Sequence, residues 1–195
     1  MDAKPCGLIS IIPPALETEW AARLAEFVGR FKPAALILQA PPGDPARRLI
    51  SKAKEFELAV LLADDVEAAR AAGASGVYLK APDASVSSAR KALGGDAIIG
   101  AACGLSRHAA MESAEAGADF VAFDAASPAA LEEAAGLSRW WDEITGVPAA
   151  LSFAKTRPTR SAVADARPDF LILEESGQPG ESLTFATEFG FQSQT

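Results

Sequence analysis

The chain has 195 residues, 49% of them hydrophobic, with 26 acidic against 18 basic side chains and a formal net charge of −8. That supplies apolar material for one well-buried core and not for two, and the negative field opposes binding to nucleic-acid backbones or acidic lipid surfaces. Cys6 and Cys103 are the only thiols and His108 the only histidine, which excludes a disulfide framework, a cysteine-rich zinc site and a three-histidine metal site.

In chain order, short continuous apolar runs predict strands at Leu8–Ile12, Ala35–Leu38, Leu58–Leu62, Val77–Leu79, Ile98–Ala101, Phe120–Phe123, Ala149–Phe153 and Phe170–Leu173. Unbroken runs rather than alternating ones are expected where a strand is covered on both faces. Between them lie segments with helical spacing, such as Trp20, Leu24, Phe27 and Val28, or Leu49, Ala53 and Phe56. Asp44-Pro45 and Ser127-Pro128 each put a cap acceptor before a proline, Asp64-x-x-Glu67 has the form of a capping box, and Gly73 and Gly117 fall where helices should end.

A sequence echo ties these units together. Ala72-Gly73-Ala74-Ser75-Gly76-Val77 resembles Ala116-Gly117-Ala118-Asp119-Phe120-Val121, and Arg167-Pro168-Asp169-Phe170-Leu171 is a weaker third copy. Each reads as helix end, tight turn, buried strand. Eight strand–helix steps predict a single (β/α)8 barrel over residues 1–195, with a short or irregular eighth helix and frayed ends at 1–6 and 190–195. A doubly wound sheet is the alternative, but Ile12-Pro13-Pro14-Ala15 is not the glycine-rich phosphate loop that it would place after the first strand.

In such barrels the chemistry sits where the strands end. The rim then carries Gln39, Asp64 with Asp65, Lys80 with Asp83, Cys103 with His108 nearby, Asp124, Lys155 with Arg157, and Glu174 with Glu175. Asp64 and Asp83 could hold a hard divalent cation such as magnesium, although on the residues alone Asp64 reads first as the cap of the third helix and Asp83 as a solvated loop acid. Lys80 is a candidate for imine chemistry or phosphate binding, Lys155 and Arg157 for binding an anion. Cys103 reads as a small buried hydrophobe or a nucleophile, and His108 as a solvated helix residue. Trp140 and Trp141 are about 100° apart on a helix, so one should pack inside while the other could anchor a homodimer.

Leu61-Leu62-Ala63-Asp64-Asp65-Val66-Glu67-Ala68-Ala69 and Gly73-Ala74-Ser75-Gly76-Val77-Tyr78-Leu79-Lys80-Ala81-Pro82-Asp83 resemble the Asn-Asp-x-Val-x-x-Ala and Gly-Ala-Asp-Gly-Val-His-Leu-Gly-Gln-x-Asp segments of the thiamine phosphate synthases. Ile98-Ile99-Gly100-Ala101-Ala102 and Ala114-Glu115-Ala116-Gly117-Ala118-Asp119-Phe120-Val121 match the next strand, helix and strand. The resemblance covers most of the chain in order and is strongest from Leu61 to Phe123. It implies a barrel that joins a pyrimidine pyrophosphate to a thiazole phosphate with magnesium, and a sister branch of thiazole tautomerases.

Carried over by position, the resemblance makes Asp64 and Asp83 the magnesium ligands and Gln39 the pyrimidine-binding glutamine. The Arg and Lys that follow that glutamine in the family fall on Pro41 and Gly43, and its serine after the fifth strand on Ala102. Its Gly-Pro after the sixth strand falls on Asp124-Ala125, and its phosphate-cradling Gly-Gly after the seventh on Ser152-Phe153. The tautomerase histidine aligns near Gly104, one helical turn before His108. A diphosphate leaving group needs donors at the developing charge, and each one lost typically costs about 10²–10³ in rate. The expectation is therefore a diverged transferase with weak synthase turnover that binds a small phosphorylated metabolite, Lys155 and Arg157 replacing the missing donors. A non-catalytic binding or regulatory barrel is the alternative, and a Lys80-dependent lyase a third reading. No apolar run approaches the roughly 20 residues of a membrane span, and the opening Met1–Cys6 segment is unlike a signal peptide, so the expected location is the cytoplasm.

Overall fold

The computed structural model describes residues 6–39, 42–80, 85–153 and 159–175. Eight parallel strands close into a barrel in chain order: β1 (Gly7–Ile12), β2 (Ala35–Leu38), β3 (Ala59–Ala63), β4 (Gly76–Leu79), β5 (Ile98–Gly104), β6 (Phe120–Asp124), β7 (Ala149–Phe153) and β8 (Phe170–Glu174). The ring closes where β1 pairs with β8, Ile9 opposite Ile172. Between consecutive strands lie α1 (Glu17–Phe31), α2 (Asp44–Lys54), α3 (Val66–Ala72), α4 (Ser85–Leu93), α5 (Arg107–Glu115), α6 (Pro128–Ile144) and α7 (Arg160–Ala166). The predicted (β/α)8 fold is thus the observed one. The stretch expected to form an eighth helix lies outside the described residues.

Alternation along each strand divides the apolar residues into two layers. Leu8, Ile12, Leu36, Leu62, Val121 and Leu173 pack outward against Trp20, Leu24, Phe27, Leu49 and Trp141 of the helices. Ile9, Ile37, Leu61, Tyr78, Phe120, Ala150 and Ile172 fill the barrel itself. Tyr78 and Phe120 stack with centroids 6.1 Å apart, and Phe120 meets Phe170 edge-on at 6.0 Å. Gly100 makes this filling possible, because a Cβ there would collide with the edge of the Phe120 ring at its Cζ.

The sequence echo has a structural meaning at the N-terminal ends of the strands. Asp119 gives its backbone N–H to Ile99 O at 2.8 Å and accepts the Ile99 N–H on Oδ2 at 2.6 Å. Asp169 makes the same pair of bonds with Ala149, at 2.8 and 2.9 Å, and Ser75 makes it with Val60, at 2.7 and 3.0 Å. Each copy therefore clamps the start of the preceding strand by two hydrogen bonds. Arg90 reinforces one of them, donating to Asp119 Oδ2 at 2.6 Å and to the carbonyls of Ala97 and Gly117 at 2.6 and 2.8 Å.

Helix punctuation follows the sequence with two corrections. Ser127 caps α6 by accepting from Ala130 N at 3.1 Å, and Gly73 and Gly117 take left-handed backbones, φ +63° and +99°. Asp44 does not cap α2: the helix already includes it, Gly43 holds the cap position without a side-chain bond, and Asp44 pairs with Arg47 at 3.5 Å. Asp64 does not cap α3 either. Asp65 has the cap's non-helical backbone and accepts from Ala68 N at 2.8 Å, while Glu67 pairs with Arg70 instead of closing a box.

Candidate functional site at the barrel mouth

The C-terminal ends of the strands gather Gln39, Asp64, Lys80, Asp124, Ser152 and Glu174 on one rim. Asp83, Lys155 and Arg157 lie outside the described residues. Small half-buried Ala63 and Ala102 border the inner cluster on β3 and β5, Ala63 in register with Tyr78.

Asp64 is freed for the mouth by the shift of the cap to Asp65. It sits just past β3 with φ +57°, a left-handed conformation that Asp adopts more readily than most residues and that concentrates at functional positions. Two hydrogen bonds fasten it to the end of β4: its N–H donates to Tyr78 O at 3.0 Å, and its Oδ1 accepts from Lys80 N at 2.7 Å. The Asp64 and Lys80 side chains are exposed.

Gln39, just past β2, donates its side-chain N–H to Glu174 Oε1 at 3.0 Å, across the end of β1 and over 135 residues of sequence. On the opposite side, Asp124 ends β6 beside Ser152 of β7. Tyr78 is buried and its phenol is hydrogen-bonded to Ser152. Burial pushes that phenol far above its usual pKa, and the nearby Asp124 and Asp64 carboxylates push the same way while the Ser152 bond opposes them.

Sequence reading placed Glu174 on the rim but missed its bond to Gln39, and it missed Tyr78 and Ser152 as a pair. The available signal was alternation: Tyr78 and Ser152 are the polar-tipped members of otherwise apolar strands, and Ser152 stands two positions along from inward-facing Ala150. Cys103 is a buried small residue, its Sγ 3.5 Å from Ala101 O and 3.7 Å from Ser113 Oγ. His108 is solvated in the first turn of α5, 3.3 Å from Glu112. Trp141 is buried and donates to Val147 O at 2.7 Å, whereas Trp140 is half-buried under the Arg107 guanidinium.

Among the described residues no three His, Cys, Asp or Glu groups form a metal cage. Magnesium usually needs no such cage: it takes one or two carboxylates and fills the rest of its octahedron with water and phosphate oxygens. The exposed Asp64 carboxylate, rigidly tied to β4 at one oxygen, fits that chemistry. No helix among the described residues is long and apolar enough to cross a membrane.

Residues 43–152 match the family described as thiamine monophosphate synthase. The thiamine-phosphate synthase of Rhodospirillum centenum is 32% identical over 180 residues, covering 86% of this chain and 87% of that protein. The thiamine-phosphate synthase of Hyphomonas neptunium reaches 48% identity over 81 residues, 42% of this chain and 37% of its own. Among solved structures, a thiamine phosphate pyrophosphorylase from Pyrococcus furiosus superposes with a TM-score of 0.72 at 19% identity, covering 95% and 94% of the two chains. A tryptophan synthase α-subunit from the same organism gives 0.64 at 14% identity over 96% and 99%, a likeness of fold alone. By sequence match over most of its length, the chain belongs to the thiamine monophosphate synthase family.

Proposed function

We propose that the chain binds a small phosphorylated heterocycle at the barrel mouth, with magnesium, and that it turns over the synthase reaction slowly. The observation that carries this reading is the division of the mouth. On one side stands Asp64, released from capping and fastened to β4. On the other side β6, β7 and β8 present Asp124, Ser152 and Glu174.

Asp64, with Asp83, would hold the magnesium ion. That ion supplies charge neutralisation for a diphosphate as its bond to the pyrimidine carbon breaks. Gln39 would fix the ring, and Lys155 and Arg157 would contact the phosphate. Asp124 and Glu174 bring like charge to the β6–β8 side, which Lys155 and Arg157 would offset, and Ser152 is a neutral hydroxyl partner there. Slow turnover follows because Pro41, Gly43 and Ala102 stand where the resemblance places cationic and hydroxyl donors.

The second reading, a binding or regulatory barrel without turnover, draws support from Gln39 being already engaged by Glu174. A Lys80-dependent lyase draws less, because an imine-forming lysine is helped by desolvation and Lys80 is exposed. Calorimetric titration with the pyrimidine pyrophosphate and the thiazole phosphate in excess magnesium, with pyrophosphate release followed in parallel, separates these readings. Heat of binding with slow release of pyrophosphate is expected. Heat without any product would favour the binding barrel, and no heat at millimolar ligand would remove the phosphorylated-ligand reading.

A further inference from the structure

The outer face of α5 carries a ridge whose charges run in order along the helix. Arg107, Met111 and Glu115 stand at i, i+4 and i+8 and are all exposed, so they are successive neighbours on one side of the helix. The ridge reads basic, apolar, acidic. Met111 and Ile144 are two of the three exposed large hydrophobic side chains among the described residues, 37% and 49% accessible. Arg107 joins them into one patch. Its guanidinium lies over the half-buried Trp140 ring, 4.7 Å from the centroid, and Ile144 follows Trp140 by about one turn of α6. Among the described residues Arg107 and Glu115 enter no ion pair, whereas the neighbouring His108 and Glu112 lie 3.3 Å apart and answer each other.

We propose that this face binds a second copy of the chain about a two-fold axis at Met111, with α5 antiparallel to its counterpart. A two-fold contact sets residue i of one copy on residue j of the other, and j on i. With Met111 on the axis, the position four before it meets the position four after it. Arg107 then faces Glu115 of the second copy and Glu115 faces its Arg107, while the two Met111 side chains meet at the centre and Trp140 and Ile144 extend the apolar area beside them. A parallel arrangement would set arginine on arginine and glutamate on glutamate, and sliding the antiparallel one by a turn would set Met111 against a charge. The ridge is thus complementary to itself, which selects a copy of this chain over an unrelated apolar partner. Because α5 is only nine residues long, the contact belongs with small, transient interfaces, and the dimer is reversible and concentration-dependent. It lies in the helix layer and does not depend on what the mouth binds.

Sedimentation equilibrium of the full chain, from micromolar to millimolar concentration, should show a mass rising from one chain toward two. Arg107→Glu and Glu115→Arg each oppose like charges at both ends of the ridge and should weaken self-association at least about tenfold. Mixed in equal amounts, the two variants bring opposite charges face to face again, since one ridge is then acidic at both ends and the other basic. The mixture should dimerise at least as well as wild type. A wild-type chain that stays monomeric throughout overturns the proposal and leaves the face to a different partner. A dimer indifferent to both reversals puts the interface elsewhere and overturns it too. Variants weakened alone but not restored by mixing overturn the antiparallel pairing. Arg107→Glu also gives up the stacking on Trp140, so melting temperatures are read alongside. Should it fail to fold, Glu115→Arg decides, by losing the dimer or keeping it.

Discussion

The two rims of the barrel use their polar side chains in opposite ways. At the N-terminal ends of the strands, Ser75, Asp119 and Asp169 are bonded to backbone N–H groups of the preceding strand, and Arg90 spreads its guanidinium over backbone carbonyls. At the C-terminal ends, polar side chains meet one another, as in Gln39 with Glu174 and Tyr78 with Ser152, or stand exposed, as do Asp124 and Lys80. Groups whose polar atoms are spent on backbone stabilise the fold, whereas Asp64 at the mouth gives one carboxylate oxygen, Oδ1, to Lys80 N. Groups mated to side chains can exchange partners, which is what binding requires. Barrels in general put stability at the first rim and chemistry at the second.

The largest effects should come from breaking the N-terminal rim. Arg90→Ala leaves several carbonyls and the Asp119 carboxylate without their cation. It should cost about 2–3 kcal/mol, seen as a fall in melting temperature of roughly 4–12 °C for a chain of this size, with ligand binding at the mouth unchanged. Asp119→Ala should follow closely, and Ser75→Ala, a neutral acceptor, should cost only about 1 kcal/mol. Urea unfolding with a constant m-value would read this order. A shift below about 0.5 kcal/mol for Arg90→Ala, the range of ordinary surface changes, would mean that the clamp is ornamental.

This contrast also explains what could be read in the sequence. The strands were legible because both faces of each are covered, so an apolar run is a sufficient signal, and the Ala-Ser, Ala-Asp and Pro-Asp echoes were legible because the clamp is local to one turn and one neighbouring strand. Where the local signal weakens, the prediction falls short: β5 continues past Ala101 to Gly104, its register shifting between Ala102 and Gly104 against β6, through residues too small to mark a strand. At the mouth, the positions of Gln39, Asp64, Lys80 and Glu174 followed from strand ends. Their partners did not. Gln39 and Glu174 meet only because the ring closes at β1 and β8, and Tyr78 reaches Ser152 only because the strands are staggered around the barrel, neither of which is written in local spacing. Of two adjacent acids, Asp65 caps and Asp64 does not, a choice made by backbone conformation.

That last pair offers a sharper form of the same comparison, with smaller effects. Asp65→Ala removes a cap and should cost about 1 kcal/mol without altering magnesium affinity measured in the presence of pyrophosphate. Asp64→Asn keeps a side chain that tolerates the left-handed backbone and still accepts from Lys80 N, so stability should move by less than about 0.5 kcal/mol. Its magnesium affinity should fall at least about tenfold, the low end for losing a carboxylate partner of the ion. If the two substitutions exchange these phenotypes, Asp65 and not Asp64 is the residue that serves the mouth.

The smallest effect expected belongs to a carboxylate at the mouth end that no side chain is shown to satisfy. Glu17 opens α1, is buried, and its Oε1 has no hydrogen-bond partner among the described residues. Burial raises its pKa above the ordinary value of 4.5. The folded state therefore holds the proton more tightly than the unfolded one. The stabilisation from this group is complete below the unfolded value and is lost as pH rises through the raised folded value. Against this, a negative charge in the first turn of a helix gains up to about 1 kcal/mol from the helix dipole, so the net cost at neutral pH is small. Glu17→Gln removes the charge and keeps the shape. It should raise the melting temperature at pH 7 by about 1–3 °C, with the gap closing as the pH is lowered to 4, where the wild-type side chain carries its proton. A variant no more stable than wild type at pH 7 would show that the dipole at the start of α1 outweighs the burial of its first residue, and that the mouth end gives up less stability than its unpaired acid suggests.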